Sequence, residues 1–545
     1  AHLLYAGALN QQPGRDTAFA SEALKARLLQ PANANTFNTF SNYTSVFDVP
    51  TLGGSFSNTN GSFDLLENKL TVYSAVPDMN IAVQASITDA RSDGWRGTEK
   101  ENLLSKSALV KWDIFNASSL LFSFNRVDIE QSDRLDKRFE FDSLSEPVDT
   151  RKNSLSRYEL GLHHQFDAQT SYLGYASFLQ SGLESLDQTN TSLGMVEINA
   201  LLNTDIDEQV WITQNQFSHK MDKSQWMYGL FIYQSSADRI DINSGSVTLF
   251  GQASPLTLYS VFDINNERDR TQRTVYVHNQ TQATQWLTVD AAAYWDTFEN
   301  SDPFSDDTWK LSKLNPRLGL STKINERNTL RIAAYRYLFS LVPGRIDPVD
   351  VAGLSIYRGS APGTLTKEYN VAYENTWSKG FMQVLGIWAE SETELRSFDG
   401  VIVNQLLKKS HRRGVEFDYN QLLNQHFGWS AQYSYLNINE DPELDTSRNE
   451  DLGELDLTFI SGHGLRIQAG AVYRHARYDN RDNSDEFFIA NLKADYTLKL
   501  KDYTARINAA FNNLFDENFN WGTDSFVIDG RIPRRNFRMT IEIGF

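Results

Sequence analysis

The chain has 545 residues, 51 Lys and Arg against 69 Asp and Glu, a net charge of −18, and no cysteine. This balance excludes a nucleic-acid-binding surface, which needs clustered cations, and the missing thiols exclude disulfides and thiolate metal sites. Aromatic residues reach 12% in a chain only 40% hydrophobic, and no apolar run is long enough for a membrane-spanning helix, although a membrane barrel hides its hydrophobicity in short alternating strands.

Residues 1–40 read as a helical lead-in. In PGRDTAFASEALKARLLQP, Asp16 is placed to cap a helix, Phe19, Ala23, Leu24 and Leu28 follow helical spacing, Lys25 and Arg27 sit toward its C-terminus and Pro31 ends it. Together with LLYAGALN it makes a helical hairpin, which cannot bury its own apolar face and is expected to pack on a barrel or on helices upstream. Residues 41–64 read as a linker.

From residue 65 to residue 545 the apolar pattern has period two. Ala108, Val110 and Trp112 oppose Leu109 and Lys111, and Leu120, Phe122 and Phe124 share a face. Trp429, Ala431, Tyr433 and Tyr435 alternate with Ser430, Gln432 and Ser434; Leu465, Ile467, Ala469, Ala471 and Tyr473 alternate with Arg466, Gln468 and Arg474. Each run has about ten residues, the length a tilted strand needs to cross hydrocarbon. Short connections such as LNQHFG alternate with long polar ones such as INEDPELDTSRNEDLG and RHARYDNRDNSDEF. A soluble propeller would show a repeat of about 40–50 residues, and none is present.

Lipid leaves no solvent for unpaired backbone groups, so β-strands cross a membrane only as a closed barrel. The expected fold is therefore all-β, a closed antiparallel transmembrane β-barrel of the outer-membrane type over 65–545. The final strand, NFRMTIEIGF, places Phe537, Met539, Ile541, Ile543 and Phe545 on its lipid face. Basic residues within strands, Arg331, Arg336, Arg466, Arg474, Lys493 and Arg506, are expected in the lumen, because a charge facing lipid at mid-depth costs about 2–4 kcal/mol. There they either pair with carboxylates or guide an anionic solute.

Several segments, in order, resemble the barrel of the TonB-dependent receptors. They are ARSDGWRGTEKENLLSKSALVKWD, KLNPRLGLSTKINERNTLRIAAYRYLF, KEYNVAYENTW with HRRGVEFDYN, and INAAFNNLFDENFNWG followed by GRIPRRNFRMTIEIGF. The resemblance implies 22 strands, about 25 residues for each strand and its connection; 16 or 18 strands with longer loops also fit the length. It implies a terminal Phe545 read by the barrel assembly machinery, outer-membrane lipid as the surroundings, and a location in the outer membrane of a Gram-negative cell. The family also carries a plug before the barrel, for which residues 1–64 have no room, so the barrel in this chain is expected to be plugless, with a plug or a periplasmic helical-repeat region upstream.

No Gly-x-Ser-x-Gly, His-Glu-x-x-His or P-loop pattern occurs, so no catalytic site and no cofactor is expected. His163 and His164 point to opposite faces of a strand and cannot share a metal. EDPELDTSRNED is acidic but lacks the spacing of a calcium loop, and reads as a solvated connection. The expected function is transport of a solute or polymer across the outer membrane. The alternatives are a conduit exporting a polysaccharide or protein, or a barrel anchoring an envelope complex.

Overall fold

The computed structural model describes residues 36–39, 42–46, 52–94, 100–115, 117–132, 150–193, 196–249, 256–301, 308–339, 346–348, 350–355, 363–398, 403–440, 447–478, 484–500, 503–517, 520–521, 530–531 and 535–545. Twenty-two strands close into one antiparallel barrel. The first half comprises β1 Gly53–Gly61, β2 Leu65–Val76, β3 Ile81–Ser92, β4 Glu101–Phe115, β5 Ser118–Ser132, β6 Thr150–Gln165, β7 Thr170–Leu193, β8 Val196–Lys220, β9 Ser224–Leu249, β10 Leu256–Gln282 and β11 Leu287–Ser301. The second comprises β12 Thr308–Lys323, β13 Asn328–Leu338, β14 Leu365–Trp377, β15 Gly380–Phe398, β16 Val403–Leu422, β17 Phe427–Glu440, β18 Arg448–Ile460, β19 Leu465–Tyr478, β20 Ser484–Leu500, β21 Tyr503–Asn512 and β22 Asn536–Gly544. The 16- and 18-stranded alternatives are thereby excluded.

Each strand pairs with its neighbours in the chain, and β22 returns to β1 with Arg538 opposite Gly61 and Gly544 opposite Ser55. Gly54 N–H donates to Phe545 O and Phe545 N–H to Gly54 O, both at 2.9 Å, so the seam runs to the last residue. A Cβ on Gly54 would lie 2.8 Å from the Phe545 ring and 2.7 Å from Thr71 O. Glycine here lets the terminal aromatic lie against the wall.

Two boundaries differ from the sequence reading. The expected helix falls outside the described residues up to residue 35, while Thr36–Thr39 and Asn42–Val46 pair as an antiparallel hairpin. The expected linker 41–64 contains β1. Its sequence GGSFSNTNG has one large apolar residue, Phe56, too few to register as a period-two pattern.

One rim carries tight turns such as residues 166–169, 283–286, 324–327 and 423–426, and the opposite rim carries the longer connections. Much of the polar sequence expected as loop is strand. β18 takes up Arg448–Gly453 from INEDPELDTSRNEDLG, and only 441–446 of the acidic EDPELDTSRNED lie outside the described residues. Ladder pairing continues beyond the lipid zone, where water solvates both faces and the apolar alternation lapses.

The register assigns the faces. Trp211, Val275, Trp295, Leu318, Val371, Trp388 and Leu455 are exposed outward, while Phe231, Thr274, Tyr294, Ala333 and Ala372 are buried on the inner wall. Aromatics recur at two levels of the wall: Trp286 in the turn before β11 and Trp295 on β11, Trp377 and Tyr369 on β14, Phe427 and Tyr435 on β17. Eight or nine residues at about 3.3 Å, tilted about 40°, rise roughly 22 Å, matching an apolar band of about 25 Å between aromatic girdles.

Candidate functional site: a hairpin docked inside the barrel

A barrel of 22 strands is roughly 40 Å across between backbones, too wide for wall side chains to fill. Between β13 and β14 the chain turns inward. Asp350–Val351 and Leu354–Ser355 form a miniature hairpin, and Ile346, Val351, Ala352 and Leu354 are buried against the wall. The two-residue turn has Ala352 at φ 54° and Gly353 at φ 76°, the left-handed pair that such hairpins require.

Alanine rarely adopts that conformation, at a cost of about 1–3 kcal/mol. Ala352 holds it because both of its backbone polar groups are bonded to the wall. Its N–H donates to Asp290 Oδ2 at 3.1 Å, and its carbonyl accepts from Arg331 Nη1 at 2.8 Å. Arg331 also donates to Glu374 Oε1 at 2.8 Å. Asp290, 3% exposed, has its other oxygen 2.5 Å from Nε2 of His278, 2% exposed. A buried carboxylate of this kind is stable only when paired and bonded.

The start of the segment is clamped separately. Ile346 N–H donates to Gln214 Oε1 at 2.8 Å, and Gln216 Nε2 donates to Ile346 O at 3.0 Å. Pro348 O accepts from Arg317 Nη1 at 3.0 Å and from the Tyr294 hydroxyl at 3.3 Å, and the Arg317 guanidinium lies 3.5 Å above the Tyr294 ring centroid. Strand alternation aims these groups: Gln214 and Gln216 of β8, His278 of β10, Asp290 and Tyr294 of β11, Arg317 of β12 and Arg331 of β13 all fall on inward positions within the run of six strands β8 to β13. Ile346 packs with Leu121, Leu173, Val210, Ile212, Phe231 and Tyr233, so the clamp has an apolar floor.

Of the basic residues picked from the sequence, Arg331 belongs to this site. Arg474 lies on the same inner face 2.5 Å from Glu450, which Arg448 also contacts at 3.3 Å. Arg466, Lys493 and Arg506 share the inner register and are exposed; Arg466 stands opposite Asp495, and Arg506 is 3.9 Å from Glu542. They form no common cluster. Arg336 is a correction: five residues from Arg331, it has the opposite parity and lies on the outer face. The β12–β13 ladder ends at Arg317 opposite Tyr335, and Arg336 bridges the gap beyond it to Asn315 Oδ1 at 2.9 Å and to Leu314 O.

Phe537, Met539, Ile541, Ile543 and Phe545 occupy the face of β22 opposite Thr540 and Glu542. Phe537 rests on Phe511 with ring centroids 4.6 Å apart. His163 and His164 take opposite faces; His164 Nδ1 lies 2.7 Å from Ser118 Oγ. The sequence reading missed Asp290, His278, Arg317 and the hairpin itself. The signal was DVAGLS, two apolar residues flanking a two-residue turn that ends in glycine.

No protein-family model and no curated protein matches the chain. Solved structures share its fold. The ferric-catecholate import receptor Fiu of E. coli K12 matches with a TM-score of 0.69 at 11% identity, over 91% of this chain and 82% of that one. The ferric preacinetobactin receptor BauA of Acinetobacter baumannii matches at 0.67 and 10% identity, over 91% and 80%. The ferric yersiniabactin uptake receptor FyuA of Yersinia pestis matches at 0.66 and 9% identity, over 91% and 80%. At these identities the likeness carries the fold: an outer-membrane-type barrel resembling TonB-dependent receptors.

Proposed function

We propose that the chain is an uptake barrel of the Gram-negative outer membrane, with its tight turns toward the periplasm and its long connections outside. The carrying observation is the hairpin at residues 346–355. A wide barrel has part of its lumen occupied by a segment held through side-chain bonds to Asp290, Arg331, Gln214 and Gln216, contacts that reorganise without disturbing the wall. That combination suits a passage narrowed at rest and widened for a bulky, scarce solute. The structural neighbours, receptors for ferric preacinetobactin, ferric catecholates and ferric yersiniabactin, support uptake over the export conduit and the envelope anchor. They also support a metal chelate as the class of solute.

The test is solute flux through the purified full chain in liposomes, using neutral sugars of graded size. Wild type is expected to pass the larger sugars slowly. The double variant D290A/R331A removes both bonds to Ala352 and is expected to raise flux by about tenfold or more for the larger sugars. Heat-modifiable mobility on gels verifies that each barrel is folded. If folded wild type and folded variant are equally impermeable, the transport reading fails.

A further inference from the structure

Above the first row of the β10–β11 ladder, β7 to β10 continue as a four-stranded extension of the wall, joined to β6 on the β7 side as far as Leu186 opposite Thr150. Leu256–Asp269 of β10 pairs with Ser236–Leu249 of β9, that with Val196–Gln209 of β8, and that with Gln180–Leu193 of β7. β11 first meets β10 at Arg270. Among the described residues, no strand lies against Leu256–Asp269 on the side away from β9.

The backbone groups that point to this open edge are identifiable. Asp269 N–H donates to Ser301 Oγ at 2.6 Å, and Ser301 Oγ donates to Asp269 O at 3.2 Å, both on the β11 side. Backbone groups alternate sides along an antiparallel strand. The N–H and C=O of Thr257, Tyr259, Val261 and Glu267 therefore face the same way. Natural sheets block such edges with proline, bulges or charged side chains, lysine above all; the charges on this edge are mainly carboxylates, which repel an acidic strand and not a cationic one. Here the β9–β10 register is unbroken, and LTLYSVFDINNERD contains neither proline nor lysine.

Charge identifies the partner. The four stretches, about a tenth of the chain, hold eleven carboxylates and two guanidiniums, a net of −9 against −18 for the whole molecule. Glu184, Asp205, Asp207, Asp238, Glu267 and Asp269 are exposed on the outward face, whereas Arg239 turns to the other face and pairs with Asp241 at 2.7 Å. Asp207, Asp238 and Glu267 stand directly opposite one another across three strands, where like charges repel and destabilise the sheet. A second copy of the chain would bring the same negative charge against this edge. We propose that the open edge of β10 captures an extended, cationic polypeptide, which adds as a further strand while its basic side chains meet the acidic outward face.

The proposal is independent of what passes through the lumen; its failure would leave the flux result untouched. The probe is a fluorescent peptide alternating lysine with valine or threonine, titrated into the detergent-solubilised full chain. Binding is expected to weaken about tenfold between low and physiological salt. Amide exchange at Thr257, Tyr259, Val261 and Glu267 is expected to slow on binding. Val261→Pro removes an edge N–H without costing a bond to β9, and Glu267→Lys with Asp238→Lys inverts the charge; each is expected to reduce affinity about tenfold. Exchange on the wild-type chain reads the edge even if a variant misfolds. Equal binding of a glutamate counterpart, or binding of an equally charged proline-interrupted peptide with unchanged exchange, overturns the proposal. So does a dimer in light scattering that Val261→Pro dissolves, because the edge would then belong to a second copy.

Discussion

At Gly353 any side chain meets two obstacles. The backbone sits at φ 76°, and a Cβ would lie 2.8 Å from Arg331 Nη1, the atom that holds Ala352 O. Gly353→Val is therefore expected to strain the turn by about 1–3 kcal/mol and to push Arg331 off the carbonyl. The hairpin tip would undock with the barrel wall intact. Planar-bilayer recordings check this: larger or more frequent conductance steps than wild type are expected. The same physics explains why Ala352 tolerates a left-handed conformation, since Asp290 and Arg331 claim both of its backbone groups.

At the scale of elements, the turn rim repeats one device. Asp167 Oδ1 accepts from Gln169 and Thr170 N–H at 2.7 Å each. Thr284 Oγ1 accepts from Trp286 and Leu287, Asn325 Oδ1 from Arg327 and Asn328, and Asn424 Oδ1 from His426 and Phe427. In each four-residue connection the second side chain imitates a backbone acceptor and sets the turn. Only Asp167 titrates, and its two backbone donors hold its carboxyl below the ordinary range. A depressed carboxyl adds stability that is present above the ordinary value of about 4 and is lost as pH falls through the lower folded value. Amide exchange at Gln169 and Thr170 should accelerate in that window after correction for intrinsic rates. Asp167→Asn, which keeps the acceptor without the charge, should abolish the pH dependence.

For the whole molecule, closure is the decisive step, because an unclosed sheet leaves backbone groups facing lipid. The β22–β1 seam spans seven register pairs from Arg538 to Gly544, and Phe545 adds two backbone bonds to Gly54 beyond them. Deleting Phe545 removes those bonds and the ring that covers Gly54. Assembled, heat-modifiable protein in the outer-membrane fraction is expected to fall several-fold, with synthesis unchanged. Ile541→Arg, on the lipid face of the same strand, is expected to cost about 2–4 kcal/mol if it lies at mid-depth, and less toward either rim. Chemical unfolding in lipid vesicles reads that difference.

The period-two pattern by itself determined the class of fold, and the outward face of β22 could be listed residue by residue, because side chains alternate in a strand whatever its neighbours are. Arg331 was legible as a strand residue by the same rule, and Arg336 was misplaced by neglecting it. β1 was not legible, since serine, asparagine and glycine leave no apolar alternation; it is a strand because β2 and β22 pair with it. The protruding sheet of β7 to β10 was hidden for a related reason: where water bathes both faces, pairing proceeds without a pattern. The hairpin at 346–355, the His278–Asp290 pair and the clamp on Ile346 were decided by tertiary structure alone. Register sets Asp290, Arg317 and Arg331 on the inner face of three neighbouring strands and Gln214 three strands further round the wall, and Ile346 meets Gln214, more than a hundred positions away in the chain, only through the folded barrel.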